Sequence, residues 1–230
     1  MRDSIHVVRW PARGLVLAAT LACAGLAGLD GCVSEERIKK AEGYYQEGVA
    51  VEKKDQQSAY VSFQKAIKEN PRHRDAHYYV AIIYANQEKF ALAEEEIREV
   101  LSIDPDYPEA YNFLGQVLEK QNRRPEAIKA YRKAVTFPLY ATPDVAYYQL
   151  GLALEVEGDM GGALEAFENA LKVTPPNVRP ALIYLEIGRA NYKLGENGKA
   201  REALARAVAL DKEKSGVTAE ARALMERLKP

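Results

Sequence analysis

Large and small apolar residues recur at a regular interval along most of the chain. Each unit has an alanine, a large apolar residue four positions later and another apolar residue three positions after that. The alanines are Ala59, Ala93, Ala127, Ala163 and Ala200, at intervals of 34, 34, 36 and 37 residues. The large residues are Phe63, Ile97, Tyr131, Phe167 and Leu204. Because positions four apart share one face of an α-helix, each unit is predicted to contain an amphipathic helix that buries this face.

A second small residue, about twelve positions before each alanine, predicts another helix in every unit. These residues are Ala81, Gly115, Gly151 and Gly188, and Gly48 fits the first unit with one residue deleted. A small residue lets two helix backbones approach closely. Proline cannot continue a helix, and Pro71, Pro105, Pro138 and Pro175 fall between units. The pattern predicts five helix pairs, at residues 41–73, 74–107, 108–143, 144–180 and 181–214.

Helix signals also flank the five pairs. Ser34 is a suitable N-cap for a helix that begins at Glu35. Residues 215–230 are predicted to form a C-terminal capping helix, which spans Thr218 to Lys229. Its inward residues would be Ala219, Ala223 and Leu224, and its outward residues Glu220, Arg222, Glu226 and Arg227. A terminal helix with a polar outer face keeps the end of a repeat array soluble.

The period and its coupled positions, from about Glu35 to Lys212, resemble the tetratricopeptide repeat. This resemblance implies an all-α fold, a tetratricopeptide-repeat superhelical solenoid of five helix pairs and a capping helix. The alternative is a helical bundle without repeat geometry.

The first 31 residues have the pattern of a secretory signal peptide. Three arginines precede residues 14 to 29, which carry no charge and are shorter than the about 20 residues that span a bilayer comfortably. Leu29, Gly31 and Cys32 resemble the bacterial lipobox, which implies that Cys32 is lipidated and that residues 32–40 form a short lead-in. An uncleaved transmembrane anchor is the alternative.

Composition offers little support for nucleic-acid binding or for catalysis. The formal net charge is -1 and both signs are spread along the chain, whereas nucleic-acid binding requires a basic face. His73 and His77 have a spacing compatible with two metal ligands, but no third ligand is evident. Gly195 to Lys199 partly resembles a phosphate-binding loop, yet it is predicted to be a turn between helices. We therefore expect no enzyme activity, no cofactor and no metal site.

The resemblance to tetratricopeptide proteins implies a binding groove lined by the first helix of each pair. One row of groove positions is Tyr45, Tyr78, Asn112, Tyr148 and Leu185, and the next is Val49, Ile82, Gln116, Leu152 and Arg189. Tyr45, Val49, Tyr78 and Ile82 would form an apolar patch in the first two repeats, where a protein partner is expected to dock. The alternative is that some of these tyrosines only pack between helices.

One stretch narrows the resemblance further. Tyr111 to Gly115 opens the third unit, Phe137 to Pro143 forms its lengthened end, and Leu150 to Leu152 follows. This stretch is similar to the PilF, PilW and Tgl family of type IV pilus biogenesis lipoproteins. The resemblance implies an outer-membrane lipoprotein facing the periplasm, a pilotin that helps the pilus secretin to localise and assemble. The alternative is a general envelope scaffold for outer-membrane assembly or cell-wall enzymes.

Overall fold

Helices and short turns alternate throughout the computed structural model, which describes residues 33–212 and 216–228. The helices are α1 (Glu35–Val51), α2 (Gln56–Glu69), α3 (Arg74–Asn86), α4 (Phe90–Ile103), α5 (Pro108–Lys120), α6 (Arg124–Ala134), α7 (Pro143–Val156), α8 (Met160–Leu171), α9 (Pro180–Lys193), α10 (Asn197–Leu210) and α11 (Gly216–Arg227). No strand interrupts them within those ranges. The predicted all-α fold, with five helix pairs followed by one more helix, is confirmed.

Local sequence signals fix where several helices begin. The Ser34 hydroxyl accepts a hydrogen bond from the Arg37 N–H at 3.3 Å, so α1 begins at Glu35 as predicted, and residues 35–40 already belong to it. Asp55 and Asp159 cap α2 and α8 in the same way. Such caps satisfy backbone donors that have no partner inside the helix.

The repeat pattern marks the point where the two helices of a pair cross. A Cβ atom added to Gly115 would lie 2.4 Å from the ring of Tyr131, and one added to Gly151 would lie equally close to Phe167. The alanines that define the period are fully buried at these crossings. Each second helix also packs against the first helix of the next pair, which makes the array continuous. The predicted register of small and large residues is therefore confirmed.

A buried carboxylate fastens the long α8–α9 connection. Asp144 is completely buried at the start of α7, and it accepts hydrogen bonds from the backbone N–H groups of Asn177 and Val178, the latter at 2.8 Å. These bonds lower the pKa of Asp144 although burial alone would raise it. The sequence analysis missed this role, because a charged residue at a repeat boundary is typical of solvent-exposed positions.

The capping helix has a different register from the predicted one. Its buried residues are Val217, Thr218 and Ala221, whereas Ala219 and Ala223, predicted to point inward, are exposed. Leu224 is partly buried, and the four predicted outward residues are exposed. The Asp211 carboxylate accepts hydrogen bonds from the N–H and hydroxyl of Thr218, at 3.1 and 2.7 Å, and this contact turns Thr218 inward.

The predicted signal peptide and Cys32 lie outside the described residues, so both stay predictions. Among the helices that the structure describes, none is both long and apolar enough to cross a bilayer.

Candidate functional site

Tyr45 packs in the junction between the first two pairs. Its ring centroid lies 4.9 Å from that of His73 and 5.9 Å from those of Phe63 and Tyr79. Burial, together with the nearby Asp75 carboxylate, raises the pKa of Tyr45 to about 12. Much of the surface of the Tyr45 ring is therefore buried in contacts inside the array.

Tyr78 has the same role one junction further along. Its ring lies 5.4 Å from Tyr107 and 5.8 Å from Phe113. Burial raises its pKa well above that of a free tyrosine. Tyr78 packs against the central core of the array, whereas Tyr45 packs against the core of the first pairs. Tyr45 and Tyr78, which were predicted to lie in one partner-binding patch, thus belong to different hydrophobic clusters.

The aliphatic members of the predicted patch are more accessible. Val49 is 36% exposed near the end of α1, and Ile82 is partly exposed on α3. Side chains of this kind can contact a partner without losing a packing role. They remain candidates for the contact predicted in the first two repeats.

The last three positions of the first predicted row, Asn112, Tyr148 and Leu185, are largely covered. Asn112 is only 9% exposed, and within the described residues its Oδ1 has no hydrogen-bond partner. Leu185 is 2% exposed. Tyr148 is partly buried against Phe167, at 5.9 Å between ring centroids, and burial raises its pKa to about 12. These side chains offer a ligand little surface.

We call the surface formed by the first helices of the successive pairs the first-helix face. A cavity of about 470 Å³ opens on this face near the C-terminal end of the array. All of its lining residues come from α7, α9 and α11, which agrees with a binding face made by the first helix of each pair. Leu152 and Arg189 were predicted groove positions, and both line this cavity. The others are Glu155, Glu186, Tyr192, Lys193, Glu220, Ala223, Leu224 and Arg227. We define this set as the C-terminal cavity.

Ion pairs cross the C-terminal cavity and hold its walls. Lys193 on α9 donates to Glu155 on α7 at 2.8 Å. Arg189 donates to Glu186 at 2.8 Å and also pairs with Glu220 on α11. Burial raises the pKa of Glu186 even though the Arg189 guanidinium opposes the shift. The cavity therefore combines aliphatic surface with charges of both signs, which suits a peptide segment of mixed chemistry.

Most of these lining residues escaped the sequence analysis. Glu155, Tyr192 and Lys193 lie one turn beyond the predicted rows, Glu186 is next to the predicted Leu185, and the others lie on α11, whose predicted register was wrong. The signal that could have found them is the position of α11 directly after the fifth pair, where the repeat places a first helix. Placed in that register, α11 would be expected to continue the same face as α7 and α9.

The two histidines are occupied by structural contacts. His73 caps α3 by accepting a hydrogen bond from the Ala76 N–H at 3.3 Å. His77 is buried, with one ring nitrogen 2.6 Å from Glu96 and the other 3.0 Å from the Pro71 carbonyl. Burial alone would lower the pKa of His77, but these two acceptors raise it. Nowhere in the described part of the chain do three or more potential metal ligands cluster.

Gly195, part of the motif that resembles a phosphate-binding loop, has φ of 75° and lies in the turn between α9 and α10. The predicted turn is confirmed at this position.

Comparison with known proteins agrees with this geometry. The tetratricopeptide-repeat family matches residues 62–108, 86–145 and 148–216. The type IV pilus assembly protein PilF of Pseudomonas aeruginosa is 27% identical over 76% of this chain and 73% of its own length. The general transcriptional corepressor ssn6 of Schizosaccharomyces pombe is 30% identical over 53% of this chain. The aligned region is only 11% of the length of ssn6.

Solved structures show the same fold. The Pseudomonas aeruginosa PilF structure superposes with a TM-score of 0.65 at 25% identity, over 84% of this chain and 90% of that one. The structure of PilW, a type IV pilus biogenesis factor, superposes with a TM-score of 0.63 at 23% identity, over 83% of this chain and 90% of that one. The likeness to pilus biogenesis proteins predicted from the sequence is confirmed by the match to PilF. The residues matched by the family cover more than half of the chain, and the chain belongs to the tetratricopeptide-repeat family.

Proposed function

We propose that this protein is a non-enzymatic adaptor lipoprotein of the pilotin type. In this proposal a lipid on Cys32 anchors it to the outer membrane, facing the periplasm, and the first-helix face binds a subunit of the type IV pilus secretin. The protein would hold that subunit at the membrane while the ring assembles. Repeat arrays of this family bind other proteins through an extended concave surface.

The match to PilF is the observation that carries this proposal, because it extends over most of both chains. The matches to ssn6 and other long proteins cover the repeats alone and favour no particular partner. A fold by itself does not define a function, so the partner rests on the similarity to a pilus assembly protein and on the chemistry of the first-helix face.

In this proposal the partner occupies the C-terminal cavity, which opens on that face. Leu152 and Leu224 supply apolar surface, while Arg189 and Lys193 present donors beside the acceptor Glu155. An extended or helical segment of the partner could place an apolar side chain in the cavity and its polar groups at the rim. Val49 and Ile82 would add a second, weaker contact in the first two pairs.

The proposal is tested by blocking the cavity without disturbing the fold. Ala223 is exposed and lines the cavity, so Ala223→Trp should fill it at little cost in stability. We expect about a tenfold or greater loss of binding to the purified secretin subunit, and less heat-stable secretin ring in the outer membrane. Ala205→Trp is the matched control, because Ala205 is exposed on the second helix α10.

Other outcomes distinguish the alternatives. If Val49→Ser combined with Ile82→Ser abolishes binding while Ala223→Trp does not, the contact lies in the first two pairs. If deleting the gene leaves rings and pili unchanged, the pilotin proposal fails and a general envelope scaffold replaces it. The anchor is tested separately, since Cys32→Ala should leave a folded protein that no longer fractionates with membranes.

A further inference from the structure

The two edges of the repeat array differ in chemistry. Because successive helices are antiparallel and joined by short turns, every first helix begins at the same edge, which we call the pair-junction edge. Its turns lie at residues 70–73, 104–107, 135–142 and 172–179, and α1 also begins there. The opposite edge has turns at residues 52–55, 87–89, 121–123, 157–159 and 194–196. Each of these turns contains a charged residue, as do three of the four turns at the pair-junction edge, whereas the turn at 135–142 contains none.

The pair-junction edge carries a preorganised apolar tip. The Phe137 carbonyl accepts a hydrogen bond from the Tyr140 N–H at 3.2 Å, which closes a β-turn with Pro138 and Leu139 at its centre. Leu139 is 97% exposed, the highest value among the exposed large apolar residues of the described chain. The turn cannot easily fold back to hide this side chain, because its two flanking residues are fixed by packing.

Those flanking contacts are specific. Tyr140 is buried against Ala134 and Ala146, and the Phe137 ring stacks on Tyr111 with centroids 5.8 Å apart. A turn held in this way loses little conformational entropy when its tip becomes buried by another surface.

The charged residues that come just before the tip in the sequence are positive. Arg132 and Lys133 are exposed in the last turn of α6, and the Lys133 ammonium lies 4.7 Å from the centre of the Phe137 ring. Residues 134–143 contain no charge, and the next acid, Asp144, is buried in hydrogen bonds. Two acids of the neighbouring connection lie outside this turn: Asp106 is exposed, and Glu109, at the start of α5, is partly exposed and close enough to act on Tyr140. A lone aliphatic tip beside basic residues suits the interface of an anionic bilayer.

We propose that Leu139 inserts into the lipid surface that carries the protein's anchor, with Arg132 and Lys133 at the headgroups. This inference rests on the proposed lipid at Cys32, which in the sequence comes three residues before α1 begins at this edge. Ile38, in the first turn of α1, is 47% exposed at this edge as well. A single leucine would hold a free protein on a membrane only weakly, but a tethered protein needs no more than this to choose an orientation.

A bilayer fits the tip better than a partner protein does. A stable protein interface buries about 800 Å² on each side, far more than one turn presents. Insertion of Leu139 would set how the array stands on the membrane and so where the first-helix face points. The tip would thus determine from which direction a partner reaches the C-terminal cavity.

The test is site-specific photo-crosslinking in cells that produce the full chain. A benzophenone amino acid replaces Leu139 in one variant and Val156 in the other. Val156 is the matched control, because it is 65% exposed and lies at the opposite end of α7. Both positions are exposed, so neither replacement should affect folding. The intact mass of the purified chain then reports what each position has captured.

We expect phospholipid adducts at position 139 to exceed those at position 156 by about tenfold or more. Protein adducts at position 139, or equal lipid adducts at both positions, would overturn the inference. Fractionation of the same cells separates this failure from that of the proposed function. A chain that stays with the membrane but captures no lipid at 139 rejects only the inserted tip, whereas a chain released from the membrane rejects the anchor as well.

Discussion

The first helices meet through aromatic rings at one end of the array and through ion pairs at the other. In the first pairs, Tyr45 and Tyr78 lie against neighbouring rings and close the junctions between helices. Around α7, α9 and α11, the pairs Lys193–Glu155 and Arg189–Glu220 span the gaps, and the C-terminal cavity remains open between them. The same repeat thus gives junctions filled by rings in one region and an open cavity between first helices in the other.

The difference shows what aromatic residues do on a repeat face. A tyrosine ring is large enough to reach the next helix and bury itself there, so a row of tyrosines fills the groove that it was predicted to line. Around the C-terminal cavity, ion pairs rather than stacked rings connect the first helices, and Tyr192 lines the cavity while 37% exposed. An accessible site therefore appears where rings do not close the junction between first helices.

The largest expected effect tests what the two regions share, the close helix crossing. Gly48→Val and Gly151→Val should each lower the free energy of unfolding by about 2–3 kcal/mol, because the added side chain would collide with Phe63 or Phe167. Denaturant unfolding followed by circular dichroism measures the loss. Gly43→Val is the control, since Gly43 has open space around it and lies on the same helix as Gly48. A large loss at only one crossing would show that the two regions are not equivalent there.

The second prediction compares the stability cost of truncating a packed tyrosine with that of truncating a side chain on the face of the C-terminal cavity. Tyr78→Ala should reduce the free energy of unfolding by about 2–3 kcal/mol, because its ring is packed against Tyr107 and Phe113. Leu152→Ala, on the face of the C-terminal cavity, should cost about 1 kcal/mol, because part of its surface is already exposed. Equal losses for the two variants would contradict the contrast drawn between the two ends.

The sequence predicts the scaffold well because the helix crossing admits few residue types. Only a small side chain fits at Gly115 above Tyr131, so the spacing of small and large residues carries the register directly. Prolines between units mark the turns because they cannot continue a helix. The same constraint weakens after the fifth pair. The face that α11 buries depends on its packing against α9 and α10 and on the contact between Asp211 and Thr218, which residue spacing does not report.

The sequence is less informative about the site. Whether Tyr45 faces solvent depends on His73 and Tyr79, which reach its ring from the next pair, and residue spacing does not report such contacts. Asp144 has the composition of an exposed boundary residue, but the α8–α9 connection folds over it. The C-terminal cavity arises from three helices far apart in sequence, so no local motif marks it.

The third prediction concerns the ion pairs of the C-terminal cavity. Arg189→Met should lower the free energy of unfolding by about 1–2 kcal/mol at pH 7, because it leaves the buried Glu186 carboxylate without its cation. The folded-state pKa of Glu186 is already raised, so the native state binds the extra proton as pH falls, and the loss should be smaller at pH 5.

The double variant Arg189→Met with Glu186→Gln is the control, and it should recover most of the stability at pH 7. A loss that is independent of pH between 5 and 7 would show that Arg189 acts by packing rather than by charge.

The smallest effect on stability is expected at His77 on α3, in the first pairs, where aromatic rings fill the junctions. Its folded-state pKa is raised, so its contribution to stability is complete below about pH 6.5 and declines as pH rises through the folded-state value. Glu96→Gln should remove this contribution, which we expect to be about 1 kcal/mol or less. Unfolding curves at pH 5.5 and pH 9 measure it. The difference between wild type and variant should be larger at pH 5.5, and a larger difference at pH 9 would contradict the assignment of a protonated His77.

The claim that most needs a test is that the open end of the first-helix face holds a pilus assembly protein. A photo-crosslinking amino acid at Ala223, inside the C-terminal cavity, reports this directly in cells that make pili. The matched position is Ala205, on the second helix α10. We predict that position 223 captures the secretin subunit, identified by mass spectrometry, and that position 205 does not. Capture of the same proteins at both positions, or of none at position 223, would contradict the account.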